Sequence, residues 1–295
     1  MRFLLPAFLL LLQPAIITVR TELVVVPVAV TDSRGRHVSD LNEQNFHVYE
    51  DGHLRRTAAF HRGDAPMTLG LIVDRSQSMR QKAAAVLTAV SAVLHSIRRD
   101  DELFAVDFND HVSFELPDDQ PFTSDPKSIE STLMTSRAEG RTALYDGVSV
   151  GLQQLHAGHG DRRALIVISD GGDNASKRSY ADVLALARQS DGVIYAIGLL
   201  AASDQEDQDA EPLKRLCKDT GGVAYFPRTT NEITEVSARV AAELREQYTL
   251  GLVPGERTAA SGFRRIDVTV AAEGRGRLHV RTRSGYVIAP ERAKP

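Results

Sequence analysis

The pattern of apolar and polar positions changes twice along the chain and divides it into three regions. From Thr21 to about Asp64, short stretches such as TELVVVPVAV and FHVYEDG alternate apolar with polar residues, and the second ends in an Asp-Gly turn. This alternation is typical of β-strands joined by tight turns. It returns near the C-terminus in YTLGLVP, FRRIDVTVAA and GRLHVRTRSGYVI. Both flanks are therefore predicted to be β-structure.

Between the flanks, short apolar runs alternate with helical periodicities. The clearest helical face carries Val86, Val90 and Ile97, and a second helical pattern runs from Asn231 to Gln247. This alternation predicts a mostly parallel sheet that is covered on both faces. The predicted strands are Thr68–Val73, Leu103–Phe108, Ala164–Ser169, Val193–Leu199 and Val223–Phe226, with a short edge strand at Val112–Phe114.

The predicted fold class is α/β, with a doubly wound, mostly parallel sheet. Each β flank is too small to form a stable sheet alone, so we predict that the two flanks pair into one small β-sandwich beside the central domain. The predicted units are an N-terminal β segment at residues 16–64, an α/β domain at residues 65–247 and a C-terminal β segment at residues 248–295.

Residues 1–15, MRFLLPAFLLLLQPA, carry one arginine, an apolar run from Phe3 to Leu12 and a small residue, Ala15, at the end. This arrangement predicts a secretory signal peptide. The run is shorter than the roughly 20 apolar residues of a membrane-spanning helix, although an uncleaved membrane anchor is an open alternative. We expect an exported protein, located in the periplasm, on the cell surface or in the medium.

Composition and charge narrow the classes of partner and site. The formal net charge is −4 with both signs well mixed, so no basic field is present to attract nucleic acid or an anionic membrane. Cys217 is the only cysteine in this sequence, which excludes an intramolecular disulfide, a zinc site built from several thiolates and a redox pair. A metal site in this chain therefore needs other ligands.

Polar residues follow the predicted strands at three places. LGLIVDRSQSM ends the first central strand and places Asp74, Ser76 and Ser78 at alternate positions. Asp170 follows another strand in ALIVISDGGDN, and Thr142 lies in EGRTALYDG at the start of a helical pattern. Ligands of doubly wound sheets bind beyond the carboxyl ends of the strands. We therefore expect these five side chains at one site.

The five side chains offer two carboxylates and three hydroxyls. This all-oxygen set suits a hard cation that keeps several waters, which favours Mg²⁺ over zinc or copper and leaves Mn²⁺ and Ca²⁺ open. Each of the three segments that supply these side chains also fits a purely structural role. Ser78 to Gln81 matches a capping box, Thr142 matches a helix N-cap, and a carboxylate at a strand end can accept backbone N–H bonds. Asp173 and Asn174 could extend the metal shell, but a turn or helix-cap role is favoured for both.

DRSQSM, GRTALYDG and ISDGGDN, in this order, resemble the three segments of the metal-ion-dependent adhesion site of von Willebrand factor type A domains. The resemblance covers about residues 67–247 and implies a Rossmann-like fold in which Ser76 and Ser78 bind the metal through their hydroxyls. It also implies that Thr142 binds the metal in one conformational state, and that Asp74 and Asp170 bind it directly or through water. The flanks are similar to those of an exported bacterial family described as VWFA-related.

The function that this resemblance implies is a non-enzymatic, metal-dependent protein-binding or adhesion module. Two carboxylates balance a divalent ion, which leaves Mg²⁺ able to take an Asp or Glu carboxylate from a protein partner. Nucleic acid is not expected as a partner. Contact with a membrane is expected only through an uncleaved signal anchor.

The sequence leaves two alternative functions open. A metal-dependent, phosphohydrolase-like enzyme could use Asp74, although Ser76 stands where such enzymes usually place a second acid. GVSVG, at Gly147–Gly151, matches the G-x-S-x-G pattern of a hydrolase nucleophile, but its helical spacing contradicts a nucleophile elbow at Ser149. The other alternative is a structural interaction module whose metal site is functionally silent.

Overall fold

The structure, a computed structural model, describes residues 23–63, 65–135, 137–199, 210–255 and 262–287. The predicted signal peptide at residues 1–15 lies outside the described residues. The strands are Val24–Thr31 (β1), Phe46–Glu50 (β2), His53–Arg55 (β3), Thr57–His61 (β4), Met67–Asp74 (β5), Glu102–Phe108 (β6), Val112–Phe114 (β7), Arg162–Ser169 (β8), Val193–Gly198 (β9), Ala224–Tyr225 (β10), Tyr248–Leu252 (β11), Phe263–Val270 (β12), His279–Thr282 (β13) and Gly285–Val287 (β14). The α-helices are Ala83–Leu94 (α1), Pro126–Thr135 (α2), Leu144–Ala157 (α3), Tyr180–Gln189 (α4), Glu211–Thr220 (α5) and Thr230–Glu246 (α6).

The central sheet has the strand order β10-β9-β8-β5-β6-β7. Its first five strands are parallel, and the edge strand β7 runs antiparallel to β6. Every residue of β5 and β9 is buried, as expected for strands that are covered on both faces. One group of helices packs α1 against α2 and α6, and a second group packs α4 against α3 and α5. The predicted α/β fold class is confirmed.

The helices of the central domain follow the predicted periodicities with one correction. Ile97 was expected on the face of Val86 and Val90, but α1 already ends at Leu94. The Ser96 hydroxyl donates to the Val93 carbonyl at 2.7 Å and so replaces a helical hydrogen bond at this end. Ile97 still packs against the same core from the turn that follows. Within the described part of the chain, no helix is long and apolar enough to cross a membrane.

The two flanks form a pair of antiparallel sheets, with the orders β13-β1-β11-β4 and β14-β12-β2-β3. Each sheet therefore contains strands from both ends of the chain, as the predicted sandwich requires. The Asp51-Gly52 turn between β2 and β3 has positive φ at both residues, 49° and 79°, which is typical of a tight hairpin. The buried core shared by the two sheets includes Val26, Val28, Phe46, Val48, Tyr248, Leu250, Ile266 and Tyr286.

The last β segment divides between the two sheets. β13 pairs with β1, whereas β14 pairs with β12. Arg283 lies buried at the break, where its guanidinium donates to the carbonyls of Gly285 at 2.8 Å and Arg188 at 3.0 Å. The next residue, Ser284, donates its N–H to the Asp219 carbonyl at 2.9 Å. Contacts with the ends of α4 and α5 therefore direct the chain from one sheet to the other.

A buried acidic residue connects the last helix of the central domain to the sandwich. Glu243 on α6 accepts hydrogen bonds from the Tyr195 hydroxyl on β9 and from the Arg281 guanidinium on β13. α6 ends at Glu246, and β11 begins two residues later at Tyr248. The central sheet, its last helix and the sandwich thus meet at one charged, hydrogen-bonded group. The exact domain boundaries stay predictions.

Tyr248→Phe tests how strongly the two flanks depend on each other. The Tyr248 hydroxyl is buried, accepts the Leu41 N–H at 2.9 Å and donates to the Val38 carbonyl at 2.8 Å. Its removal leaves a buried donor and a buried acceptor unpaired, so we expect the free energy of unfolding to fall by about 1–3 kcal/mol. Chemical denaturation measures this loss. Tyr49→Phe is the control, because no hydrogen bond joins the Tyr49 hydroxyl to any described residue; equal stability losses in the two variants would contradict the prediction.

Candidate functional site

β5 ends in a buried carboxylate. Asp74 is the last residue of the strand and has no exposed surface. Its Oδ1 accepts the Ser76 N–H at 2.8 Å, and its Oδ2 accepts the Ser169 hydroxyl at 2.6 Å. Burial raises the pKa of Asp74, and the two hydrogen bonds only partly oppose that effect. The expectation that a carboxylate at this strand end accepts a backbone N–H is confirmed.

The two serines that follow lie next to each other. The Oγ atoms of Ser76 and Ser78 are 3.0 Å apart. A 3₁₀ turn, Gln77–Lys82, separates β5 from α1; Ser76 precedes this turn without a side-chain capping bond, and Ser78 lies inside it. The capping box predicted from Ser78 is therefore wrong, because no helix begins at that residue. The Ser76 side chain also interacts with the Asp74 carboxylate, while the intervening Arg75 side chain donates to the Leu133 carbonyl.

The second carboxylate reaches the site through the pairing of β8 with β5. Val73 lies opposite Ile168 in this parallel pair, so Asp170 leaves the sheet beside Asp74, and its charge contributes to raising the pKa of Asp74. The Lys82 ammonium lies 3.1 Å from Asp170 Oδ2. Gly171 follows with φ of 94°, a conformation that favours glycine and allows the sharp turn away from the strand.

Hydrogen bonds from several elements hold the Thr142 loop against the same edge. Gln77 donates its N–H to the Gly140 carbonyl at 3.0 Å. Thr142 donates its N–H to Asn174 Oδ1 and accepts the Asn174 N–H at its own carbonyl, each at 2.9 Å. The N-cap of α3 is Ala143, so the prediction that Thr142 caps this helix is wrong. Thr142 is instead fixed by its backbone, which leaves its hydroxyl free of a capping role.

The loop after β8 supplies the missing cap of α3. Asp173 Oδ2 accepts the Tyr145 N–H at 3.0 Å, and Ser176 Oγ accepts the Asp146 N–H at 3.1 Å. In return, the Asp146 carboxylate accepts the N–H groups of Lys177 and Arg178 at 2.9 and 3.0 Å. The cap role of Asp173 is confirmed, whereas Asn174 holds the backbone of Thr142. This reciprocal clamp fixes the Asp170 segment relative to the Thr142 segment.

The three predicted segments therefore converge where the sheet changes winding direction. After β5 the chain continues to β6 on one side, and it returns to β8 on the other side of β5. Such a switch point is the usual ligand position in doubly wound sheets. Among the described residues, no group of three or more His, Cys, Asp or Glu side chains is arranged to hold a metal ion. A cation at this edge would depend on two carboxylates together with hydroxyl oxygens.

A family model for the von Willebrand factor type A domain matches residues 69–239, which is more than half of the chain. The chain belongs to the von Willebrand factor type A family. Domains of this family are generally protein-interaction modules, and the matched range contains all three converging segments.

Solved structures share the von Willebrand factor type A fold at low sequence identity. A von Willebrand factor type A protein from Catenulispora acidiphila superposes with a TM-score of 0.56 at 11% identity, over 82% of this chain and 73% of that one. Proximal thread matrix protein 1 from the mussel byssus gives a TM-score of 0.52 at 15% identity, over 65% of this chain and 49% of that one. These similarities concern the fold alone.

An uncharacterized protein of Synechocystis sp. is 27% identical over 110 residues, which is 37% of this chain and 26% of that protein. This chain thus spans about a quarter of the length of that curated relative. The similarity carries no statement about partners.

The hydrolase motif considered above lies inside a helix of the von Willebrand factor type A domain. Ser149 sits in the middle of α3 and is completely buried. A nucleophile elbow needs a strand that runs directly into the serine and exposes its hydroxyl at a turn. The helical context predicted from the sequence is confirmed, and Ser149 cannot serve as such a nucleophile in this fold.

Two residues of the candidate site, Ser169 and Lys82, were not predicted from the sequence. Ser169 could have been found, because it precedes Asp170 at the end of a predicted strand and parallel pairing places it beside Asp74. Lys82 carries no comparable signal. It reaches Asp170 only because the 3₁₀ turn carries it back across the strand ends, and such a turn has no distinct sequence pattern.

Asp74→Asn tests the electrostatic cost of the site in protein freed of divalent metal. Because the pKa of Asp74 is raised from its ordinary value of 3.8, the ionised carboxylate destabilises the folded state increasingly as the pH rises through the pKa of the folded protein. We expect the variant to gain stability relative to the parent at neutral pH, and the gain to vanish in acid, where the parent carboxyl is protonated. Chemical denaturation of the parent and the variant, in a buffer that contains a chelator and at several pH values, measures this gain in stability.

Asp119→Asn is the matched control, since Asp119 is exposed. A difference between the Asp74 variant and the parent that is largest in acid would contradict the assigned cause.

Proposed function

We propose that this von Willebrand factor type A domain is a non-enzymatic, metal-dependent protein-binding module. The observation that carries the proposal is the convergence of two carboxylates at the switch point, with the Lys82 ammonium 3.1 Å from one of them. The Lys82 ammonium beside Asp170 supports a negatively charged site that favours a cation. The residues proposed to hold Mg²⁺, with Mn²⁺ and Ca²⁺ as alternatives, are Asp74, Ser76, Ser78, Thr142 and Asp170.

The donor chemistry fits a divalent ion and leaves it attractive to an anion. Asp74 and Asp170 contribute two negative charges, and the hydroxyls of Ser76, Ser78 and Thr142 add oxygens without further charge. When bound, the ion supplies an electrophilic position for an anionic oxygen, which we propose to be an Asp or Glu carboxylate of a protein partner. The buried hydrogen bonds of Asp74 keep its carboxylate oriented before any cation arrives.

Lys82 has a defined part in this proposal. Its ammonium donates to the Asp170 carboxylate, so a divalent ion has to compete with this internal cation for Asp170. The pair is largely enclosed, with side-chain exposures of 15% for Lys82 and 13% for Asp170, and solvent therefore screens it only in part. We propose that Lys82 lowers the affinity of the site for metal. When no metal is bound, its ammonium balances the negative charge of Asp170.

Calorimetric titration of Mg²⁺ into metal-stripped protein tests the proposed function. We expect saturable binding at one site in the parent, no binding in the Asp74→Ala, Ser76→Ala double variant, and about threefold to tenfold tighter binding in Lys82→Met, because its internal competitor is absent. Lys177→Met removes the same charge from a neighbouring exposed position and should leave the affinity close to that of the parent.

The matched control for the double variant is Asp119→Ala, Ser39→Ala, which makes the same changes at exposed positions. Circular dichroism establishes that all variants are folded. Equal Mg²⁺ binding by the parent and the Asp74 variant, or no binding by the parent, would refute the proposed metal site.

The Lys82–Asp170 pair also favours a second candidate, an interaction module whose metal site is silent. Here Lys82 would neutralise the site permanently, and partner binding would survive chelation and the loss of Asp74. The hydrolase alternative has less support, because an aspartyl nucleophile has to reach its substrate and Asp74 has no exposed surface. If the protein hydrolysed a phosphate ester and Asp74→Asn lost this activity, the result would support the hydrolase alternative.

We also propose that the protein is exported, on the basis of the apolar run within residues 1–15. Expression in a bacterial host with a periplasm, followed by fractionation and mass spectrometry of the intact chain, tests this proposal. The expected result is an extracytoplasmic protein that begins after Ala15. A full-length chain confined to the cytoplasm would contradict it, and a full-length chain in the membrane fraction would indicate an uncleaved anchor.

A further inference from the structure

Two arginine-rich turns lie side by side at one end of the β-sandwich. In the antiparallel pair of β1 and β13, Thr31 is opposite His279, so the turn after β1 and the turn before β13 leave the sheet at the same edge. Each turn contains the tripeptide Arg-Gly-Arg, at residues 34–36 and at residues 275–277. Sheet register thus brings together two pairs of arginines, and the pairs are about 240 residues apart in sequence.

The two turns enclose a cleft of about 420 Å³, which we call the arginine cleft. This volume lies within the range of small-molecule sites. The arginine cleft is lined by Asp32, Arg34, Arg36, Arg275, Arg277 and Leu278, among others.

The first turn has a fixed shape before any ligand binds. Asp32 Oδ1 accepts the N–H groups of Arg34 at 2.9 Å and Arg36 at 3.0 Å, and Oδ2 accepts the Arg36 Nε–H at 2.9 Å. Gly35 has φ of 75°, which the turn requires and which glycine adopts without strain. These bonds hold the pKa of Asp32 below its ordinary value, chiefly through the Arg36 N–H. The carboxylate of Asp32 is therefore committed to the turn and to one arginine.

The ion pairs of the arginine cleft leave positive charge unbalanced. Arg36 pairs with Asp32, and Arg275 pairs with Asp40. Neither Arg34 nor Arg277 forms an ion pair with any described residue, and both line the cleft. Among the described residues, Arg34 and Arg277 therefore have no acidic partner, in a chain whose formal net charge is −4. Planar guanidinium groups with several N–H donors recognise tetrahedral oxyanions through paired hydrogen bonds.

We propose that the arginine cleft binds a phosphate group, carried either by a soluble phosphate compound or by a lipid headgroup, with Arg34 and Arg277 as the residues that contact it. The cleft shares no residue with the proposed metal site and belongs to a different sheet. The proposal therefore stands whether or not the metal site is functional. It gives the sandwich a binding role of its own.

Calorimetry of the full chain with inorganic phosphate and pyrophosphate, and co-sedimentation with phosphatidylglycerol or phosphatidylcholine vesicles, tests this proposal in a buffer with a chelator. We expect saturable binding of pyrophosphate, phosphatidylglycerol vesicles or both, weakened about tenfold or more in Arg34→Ala, Arg277→Ala. Pyrophosphate binding would assign a soluble source of the phosphate. Binding to phosphatidylglycerol vesicles alone would assign a lipid headgroup.

The control is Arg56→Ala, Arg228→Ala, which removes the same charge from two exposed arginines without ion pairs to described residues. It should bind as the parent does. No binding of any probe by the parent, or equal losses in the control and in the Arg34 variant, would overturn the proposal. Arg34→Lys, Arg277→Lys keeps the charge; full rescue would attribute binding to charge alone and contradict recognition by paired guanidinium hydrogen bonds.

Discussion

The parallel pairing of β5 with β8 is the constraint on which the candidate site depends. It ends the two strands side by side and so delivers Asp74 and Asp170 to the same edge of the sheet. Two carboxylates in a largely buried place are unfavourable, and burial together with the neighbouring charge raises the pKa of Asp74. Hydrogen bonds from Ser76 and Ser169 and the Lys82 ammonium offset part of this cost. A divalent cation would offset more of it, so the proposed function follows from the same pairing.

The sequence was informative wherever one local pattern determined the structure. Strands buried on both faces, such as β5, are continuous apolar runs, and the polar residues directly after them mark the ligand-binding edge. Helix starts were less predictable, because Ser78 and Thr142 both suit a cap by residue type. Ser78 instead lies inside the 3₁₀ turn before α1. The start of α3 is capped by Asp173 from another loop and not by Thr142. Contacts of this kind join residues that are far apart in sequence, so no local sequence pattern predicts them.

The sandwich ties the two ends of the chain to the von Willebrand factor type A domain. Its strands come from both flanks, and the buried Tyr248 hydroxyl joins β11 to the segment after β1. Glu243 adds a contact from α6 to β13 and to the central sheet. The arginine cleft lies at the end of the same β13 strand. Both proposed sites, the acidic edge for a cation and the arginine cleft for an anion, therefore lie on one connected framework.

The edge formed by Asp74 and Asp170 is proposed to hold a divalent cation. Anomalous diffraction from crystals grown with Mn²⁺ tests it most directly, because the method locates the ion without reference to activity. We expect one strong anomalous peak within coordination distance of oxygens from Asp74, Ser76, Ser78 and Asp170, with the Lys82 ammonium withdrawn from Asp170. A map without a peak at this edge at saturating Mn²⁺, with Lys82 still bonded to Asp170, would contradict a divalent-metal site here.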